Sequence, residues 1–323
     1  MNKKINKILF ILVTFFLANK NVLGVTNTYI YEMKDSNGEK IYRNYDGKQE
    51  RQLSIEIGEH SSKTVPAYCI DVGLELGDKK PISELDVNLT DYLKKALNDQ
   101  EKAKDVSNKI NQYIRFGYKY NGQNTDKYLV ATQKLIWDEL YKAGYRKEYY
   151  SDNVNFTAGN DKYDISSEEK TIKNNINNYY KTPSMCSSTT RLEISFGETK
   201  TYEDSSNVLS NYKVKCDDGL SCEIKENKLI VTANEEGTNH KIKFTKEGIS
   251  GKNNIIYQRS GEQAVLINAE SIEGVSCEFG IDVSKEENVT ENVETGERTP
   301  INIMIIGILS LSIAYITTRK IKI

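Results

Sequence analysis

The sequence predicts an α+β domain followed by an all-β, immunoglobulin-like domain in a chain of 323 residues. This prediction rests on the order of strand and helix patterns along the chain. Alternating strand patterns come first, helices with apolar residues about 3.6 positions apart follow as far as residue 183, and strand patterns alone occupy residues 184–284. Hydrophobic residues make up 38% of the chain and charged residues 28%, which is typical of a folded protein.

The first domain, residues 25–183, begins with strand-like alternation from Thr26 to about Asp71, and Asn37-Gly38 predicts a hairpin turn within it. Helices are predicted over residues 84–98, 102–116 and 126–143, and from a Ser166-x-x-Glu169 capping box onward. The second domain, residues 184–284, has strand patterns near 192–196, 212–214, 228–232, 241–244, 254–257, 264–268 and 277–283. Short strands at this spacing predict an immunoglobulin-like sandwich.

The two ends of the chain predict export and anchoring at the cell surface. Residues 1–24 combine lysines with a short apolar run, which predicts a signal peptide because spanning a bilayer needs about 20 apolar residues. Residues 285–300 form a polar spacer, and residues 301–323 form an apolar anchor with a basic tail. The chain is therefore expected to be secreted and held at its C-terminus.

The spacer contains Asn292-Val293-Glu294-Thr295-Gly296, which resembles the cell-wall sorting signal of Gram-positive surface proteins. The resemblance implies that a sortase cuts between Thr295 and Gly296 and joins the threonine to peptidoglycan. Asn292 and Val293 replace the Leu and Pro of the usual motif. A retained membrane anchor is the alternative, because the apolar run is only slightly shorter than a spanning helix.

Composition excludes several classes of partner. The chain has 44 Lys+Arg against 46 Asp+Glu, a formal charge of −2, so no basic field predicts a nucleic-acid partner. It has only 2 histidines and no CxxC motif, so neither a metal site nor a cofactor is predicted.

Four of the 5 cysteines lie in the second half of the chain, and disulfides persist in an exported protein. The preferred pairing joins Cys216 to Cys222 across a turn and Cys186 to Cys277 between the first and last strands of the domain. The other two connectivities of four cysteines remain open. This leaves Cys69 as the cysteine to explain.

The helix predicted over residues 126–143 places a glutamine, Gln133, on its apolar face. A buried glutamine needs hydrogen-bond partners for its amide and is by itself more often structural. Cys69 lies in the apolar segment Ala67–Ile70 and would by itself be an ordinary buried thiol.

Considered together, Tyr68-Cys69-Ile70-Asp71 and the later Ala131-Thr132-Gln133-Lys134-Leu135-Ile136-Trp137 resemble the thioester domain of Gram-positive adhesins. The resemblance covers roughly residues 25–183 and implies a β-sandwich or barrel part plus a helical part. The second domain contains Phe196-Gly197-Glu198-Thr199-Lys200 and Val208-Leu209-Ser210-Asn211-Tyr212. With these segments it resembles the stem module that follows such domains in clostridial surface proteins.

The resemblance implies an internal thioester between Cys69 Sγ and the side-chain carbonyl of Gln133, formed with loss of ammonia. An amine, such as a lysine of a host protein, would then attack and form an isopeptide bond to Gln133. This chemistry occurs once per molecule, so no enzyme is predicted. The residues expected to support the site are Tyr68, Ile70, Asp71, Thr132, Ile136 and Trp137.

Two other functions are compatible with the sequence. The 21 tyrosines would suit a non-covalent surface binding module with a free Cys69. A cysteine hydrolase or transglutaminase would need a base, and the only histidine in the first domain is His60, in a polar stretch typical of an exposed loop.

Overall fold

A computed structural model of the chain describes residues 28–31, 35–45, 48–51, 56–59, 63–71, 74, 81–145, 154–187 and 191–285. The predicted signal peptide and anchor, the sorting motif with Thr295 and Gly296, and His60 all lie outside these residues. Within the described ranges, no helix has the length and apolar character needed to cross a membrane.

The described residues form a mixed α+β structure, which confirms the predicted class. The helices are α1 (Leu89–Leu97), α2 (Gln100–Phe116), α3 (Asp126–Lys142) and α4 (Ser166–Tyr180). The strands of the first half are β1 (Thr28–Tyr31), β2 (Ile41–Tyr45), β3 (Lys48–Arg51), β4 (Glu56–Glu59), β5 (Lys63–Pro66), β6 (Tyr68–Cys69), β7 (Pro81–Leu85), β8 (Asn155–Ala158) and β9 (Asp161–Lys162). The strands of the second half are β10 (Leu192–Ser195), β11 (Thr199–Glu203), β12 (Lys213–Cys216), β13 (Leu220–Lys225), β14 (Lys228–Ala233), β15 (Gly237–Lys246), β16 (Ile255–Gln258), β17 (Val265–Ile267) and β18 (Val275–Ser284).

Two local predictions about helix starts need correction. The helix predicted over 84–98 begins only at Leu89, because Asn88 caps it by accepting a hydrogen bond from the Asp91 backbone N–H at 2.8 Å. The Ser166-x-x-Glu169 capping box does not form. Ser166 is already the first helical residue, and its backbone N–H donates instead to Asp164 Oδ1 at 3.0 Å.

The Asn37-Gly38 turn forms, but the described strands on either side of it do not pair with each other. Gly38 has φ 82°, a left-handed conformation that glycine adopts without a steric penalty. The strands on either side of it belong to different sheets, because β1 pairs with β4 and β7 whereas β2 pairs with β3 and β8. The turn therefore carries the chain from one sheet to another.

A seven-stranded sheet with the order β5-β4-β1-β7-β16-β17-β6 combines strands from both halves of the chain. The sequence assigned the strand patterns near 254–257 and 264–268 to the second domain, and this assignment needs correction. The strand β16 pairs with β7, and β17 pairs with β6, where Val265 lies opposite Cys69. Side chains of both strands enter the core of the first half.

The other strands of the second half form two sheets, β10-β18-β15-β12 and β11-β14-β13. Residues from both sheets, including Leu229, Val231, Ile242, Phe244 and Ile281, share one buried core, so the two sheets pack as a sandwich. Its immunoglobulin-like relationship remains a prediction.

Residues 247–274, which we call the inserted hairpin, leave this sandwich between β15 and β18. Lys246 is paired with Val275, Ile249 bridges to Ile272, and the two arms then continue as β16 and β17. The tip of a long hairpin from the second half therefore lies within the main sheet of the first half.

Polar contacts fix the inserted hairpin to the helices of the first half. The buried amides of Asn111 in α2 and Asn254 exchange two hydrogen bonds, at 2.9 and 3.3 Å. The Arg115 guanidinium donates to the Ala269 carbonyl at 2.9 Å. Nearer the sandwich, the Tyr179 hydroxyl at the end of α4 donates to the Glu247 and Glu273 carbonyls, at 3.2 and 3.0 Å.

Two disulfides in the second half join the predicted pairs. Cys186 pairs with Cys277 at a Cα–Cα distance of 5.9 Å, and Cys216 pairs with Cys222 at 6.2 Å. The first of these connects the segment after α4 to β18, just beyond the inserted hairpin. Cys69 is a buried free cysteine.

We predict that a chain ending at residue 183 does not fold cooperatively, whereas a chain ending at residue 285 does. The shorter chain lacks β16 and β17, which leaves β7 and β6 without these neighbours and exposes part of the core. Thermal unfolding of residues 25–183 and 25–285, followed by circular dichroism, would test this. A matching sharp transition in both would show that the inserted hairpin is dispensable for folding.

Candidate functional site

The structure brings Cys69 and Gln133 together, although 64 residues separate them in sequence. Gln133 Oε1 accepts a hydrogen bond from the Cys69 backbone N–H at 2.7 Å. Gln133 Nε2 donates to the Cys69 carbonyl at 2.9 Å. The side-chain amide of one residue is therefore paired with both backbone polar groups of the other, which fixes its orientation beside the cysteine.

The pair is sealed from solvent. Gln133 is 0% exposed and Cys69 is 2% exposed. The helix α3 is buried on most sides, including at Leu135, two positions beyond Gln133. The predicted supporting residues Tyr68, Ile70, Ile136 and Trp137 are all buried in the same core. Such surroundings would keep water away from a stored acyl group.

Thr132, the residue before Gln133, connects α3 to the loop after α2. Its hydroxyl donates to the Tyr128 carbonyl at 2.7 Å and accepts from the Tyr118 backbone N–H at 3.1 Å. The approach is so close that a Cβ on Gly117 would lie 2.1 Å from Thr132 Oγ1. A larger residue than glycine would therefore clash at position 117. The hydrogen bond from Tyr118 to Thr132 fixes the position of α3 relative to the end of α2.

Asp71, two residues after Cys69, is fully buried and accepts hydrogen bonds from several elements. Tyr92 of α1 donates its hydroxyl to Oδ2 at 2.5 Å, and Tyr145, just beyond α3, donates to Oδ1. From the inserted hairpin, the Ala264 N–H donates to Oδ2 at 3.2 Å and Gln258 Nε2 donates at 3.4 Å. Asp71 thus ties the cysteine strand to the glutamine helix and to the hairpin.

Arg43 is a site residue that the sequence analysis missed. It lies on β2, is 5% exposed, and its guanidinium carbon is 5.0 Å from the centre of the Trp137 ring. The signal in the sequence is its position in a strand-like run, two residues after the apolar Ile41, because alternate strand residues share a face.

Burial raises the pKa of the Cys69 thiol to about 12, the positive charge of Arg43 lowers it, and the negative charge of Asp71 raises it further. Burial likewise raises the pKa of the Tyr68 hydroxyl. The Cys69 thiol and the Tyr68 hydroxyl are therefore both protonated and neutral at physiological pH.

The arrangement suits attack by sulfur on the Gln133 carbonyl. The Cys69 N–H points at Oε1, where negative charge develops when a nucleophile adds to the carbonyl carbon. Nitrogen Nε2 would leave as ammonia. The structure also contains no cluster of three or more His, Cys, Asp or Glu side chains, among its described residues, that could hold a metal.

A known domain family matches the part of the chain that holds this site. Residues 66–182 match the thioester domain family, a stretch of just over a third of the chain that contains both Cys69 and Gln133. No curated protein matches the chain. The thioester domain of the Staphylococcus aureus TIE protein is similar in structure, at 20% identity and a TM-score of 0.47, over 80% of this chain and 99% of that one. The Bacillus anthracis TIE protein gives 14% identity and a TM-score of 0.34, over 80% of this chain and 48% of that one.

The family match confirms that the chain carries a thioester domain, as the two sequence motifs predict. The sorting motif lies outside both the matched and the described residues, and it remains a prediction.

We predict that Thr132→Val lowers the free energy of unfolding by about 1–3 kcal/mol, because the isosteric change leaves the partly buried Tyr118 N–H without its acceptor. Thr171→Val is the matched control. Thr171 makes the same hydrogen bond to the carbonyl four residues earlier, at 2.9 Å, but in an exposed position. Its cost should be within about 0.5 kcal/mol. Urea unfolding would measure both, and equal costs would contradict the role given to Thr132.

Proposed function

We propose that this chain is a secreted, surface-anchored bacterial adhesin that attaches covalently to its target through a thioester between Cys69 and Gln133. The observation that carries the proposal is the pairing of the Gln133 amide with both backbone polar groups of Cys69, inside a buried core. The match of this region to the thioester domain family supports it.

Thioester formation needs no external reagent. The Cys69 sulfur adds to the side-chain carbonyl carbon of Gln133, and the C–N bond to Nε2 breaks. The thiol proton ends on the departing nitrogen, which leaves as ammonia. The fold supplies the high effective concentration that makes an amide react with a thiol, and the Cys69 N–H stabilises the charge on Oε1 during the addition.

The stored thioester would then acylate an amine, most simply the side chain of a lysine on a host protein. The amine nitrogen attacks the acyl carbon, the C–S bond breaks, and Cys69 takes a proton to become a thiol again. The product is an amide bond between Gln133 and the target. Each molecule reacts once, so the protein is a single-use reagent rather than an enzyme.

The proposed anchor acts at the other end of the chain. Sortase cleavage between Thr295 and Gly296, followed by linkage to peptidoglycan, would make the connection from cell wall to target covalent throughout. A covalent attachment has no ordinary dissociation rate, so binding affinity ceases to limit adhesion after the reaction.

We predict that the exported chain has a mass short by one ammonia, and that Cys69→Ala and Gln133→Ala variants have their full expected masses. Methylamine should add to the unaltered chain alone, because only that chain holds an acyl group on sulfur. Intact-mass spectrometry before and after methylamine would measure this. A folded chain of full mass that ignores methylamine would instead indicate a non-covalent binding module.

We predict that Cys69, once methylamine has opened the thioester, reacts slowly with iodoacetamide in the folded chain at neutral pH. Its pKa is raised to about 12 by burial, so the thiolate fraction is small below that pH and grows as pH increases toward it. Alkylation rates across this pH range would show the trend. The control is the same protein in denaturant, where the thiol should react with an ordinary pKa. A fast reaction at neutral pH in the folded chain would contradict the assigned environment.

A further inference from the structure

A groove of about 610 Å³ lies between the end of α2 and the inserted hairpin, outside the buried thioester site. One wall consists of residues 114–115 and the loop 118–121, and the other wall consists of residues 249–252 and 268–269. Its volume falls in the range of pockets that hold small ligands or a few peptide side chains.

The charges in this groove are all of one sign. Arg115, Lys119 and Lys252 line it, and no carboxylate is among the lining residues that the structure describes. This contrasts with the chain as a whole, whose formal charge is −2. Arg115 is half-buried, so its charge is screened less by solvent than the charges of the two exposed lysines.

The lining also offers apolar and aromatic contacts. Ile114 and Ile249 come from opposite walls, and Tyr118 and Tyr120 form part of the loop wall. A groove that combines cations with aromatic and aliphatic surface fits a peptide segment that carries acidic side chains. A sulfated sugar or a phosphate would use the cations but not the apolar surface.

The two walls are fixed before any partner arrives. Arg115 crosses from α2 to the hairpin and donates to the Ala269 carbonyl at 2.9 Å. On the loop wall, the Lys119 backbone N–H donates to the Gln123 carbonyl at 2.8 Å, and the Gln123 N–H donates to the Tyr120 carbonyl at 3.0 Å. A site whose walls are already ordered loses less conformational entropy when a ligand binds.

Tyr118 connects this groove to the reacting pair. Its backbone N–H is bonded to Thr132, the neighbour of Gln133. Tyr118 also packs against the buried core that contains Tyr68 and Cys69. A segment that occupies the groove would therefore contact a residue that is bonded to the neighbour of Gln133 and packs against the core around the reacting pair.

We propose that this groove binds acidic residues next to the reactive lysine of the partner protein and so selects which lysine reacts. The inference rests on the proposed function and deepens it by naming the chemistry of the partner. Opposite charges speed the encounter, and docking raises the effective concentration of the lysine amine at the acyl carbon.

The first test compares two short peptides on the exported chain, each N-terminally acetylated with a single lysine. In one peptide Asp and Glu flank the lysine, and in the other Asn and Gln replace them. Conjugation followed by intact mass should be at least about tenfold faster with the acidic peptide, and this advantage should shrink as salt is added. Methylamine, which has no flanking residues, reports the thioester alone.

Charge reversal at the groove provides the second comparison. Lys119→Glu/Lys252→Glu should remove the advantage of the acidic peptide and leave the methylamine rate unchanged. Lys215→Glu/Lys243→Glu is the matched control, because these exposed lysines face each other on β12 and β15 of the sandwich. The control has the same net charge and should keep the advantage.

A third measurement separates the groove from the chemistry. Fluorescence anisotropy on Cys69→Ala with an acetyl-lysine form of each labelled peptide reads binding without any thioester. Tighter binding of the acidic form, lost on Lys119→Glu/Lys252→Glu, supports the groove even if no ammonia loss is found. Equal binding of the two peptides, or tighter binding of a sulfated oligosaccharide, overturns the proposal. Equal conjugation rates alongside normal methylamine reaction also overturn it while the thioester stands.

Discussion

The Gln133 side-chain amide depends on two hydrogen bonds to the backbone of Cys69, and much of the surrounding structure serves to keep that pairing in register. A fully buried amide without partners would cost several kcal/mol. The backbone N–H and C=O of Cys69 supply both partners. The amide is therefore hydrogen-bonded, and its carbonyl is held next to Cys69. Thr132 fixes the position of α3 through its hydrogen bond to Tyr118. Asp71 links the Cys69 strand to the end of α3 through its hydrogen bond with Tyr145. A change in either would shift one reactant relative to the other.

The charges around Cys69 act in opposite directions. Arg43 favours the thiolate, whereas burial and Asp71 favour the neutral thiol, and the pKa of about 12 shows that the second influence is larger. A sulfur that is reluctant to carry negative charge is also a poorer leaving group. The same surroundings that exclude water would thus make the proposed acyl bond durable and would slow its reaction with an amine.

The sequence alone predicted the parts of the structure that depend on residues close together in the chain. The Cys69 strand and the Gln133 helix follow from motif and periodicity, and the two disulfides are the pairing that the sequence preferred among three possible ones. It did not predict the inserted hairpin, because nothing in a short strand pattern reveals which sheet it joins. Asn111 and Asn254 are 143 residues apart, and their pairing has no local signature. The hydrogen bond from Gln258 to the buried Asp71 carboxyl also has no local signature, because the two residues are 187 positions apart.

The Cys186–Cys277 bond determines which parts of the chain would carry tension. A pull between a target joined to the Gln133 side chain and the C-terminus runs along the backbone from Gln133 to Cys186, crosses the sulfurs to Cys277, and continues outward. Residues 187–276 form a closed loop beside that line. The residues before Gln133 also lie off it. The inserted hairpin belongs to this closed loop, which is just over a quarter of the chain, so it would carry no tension in the proposed covalent connection.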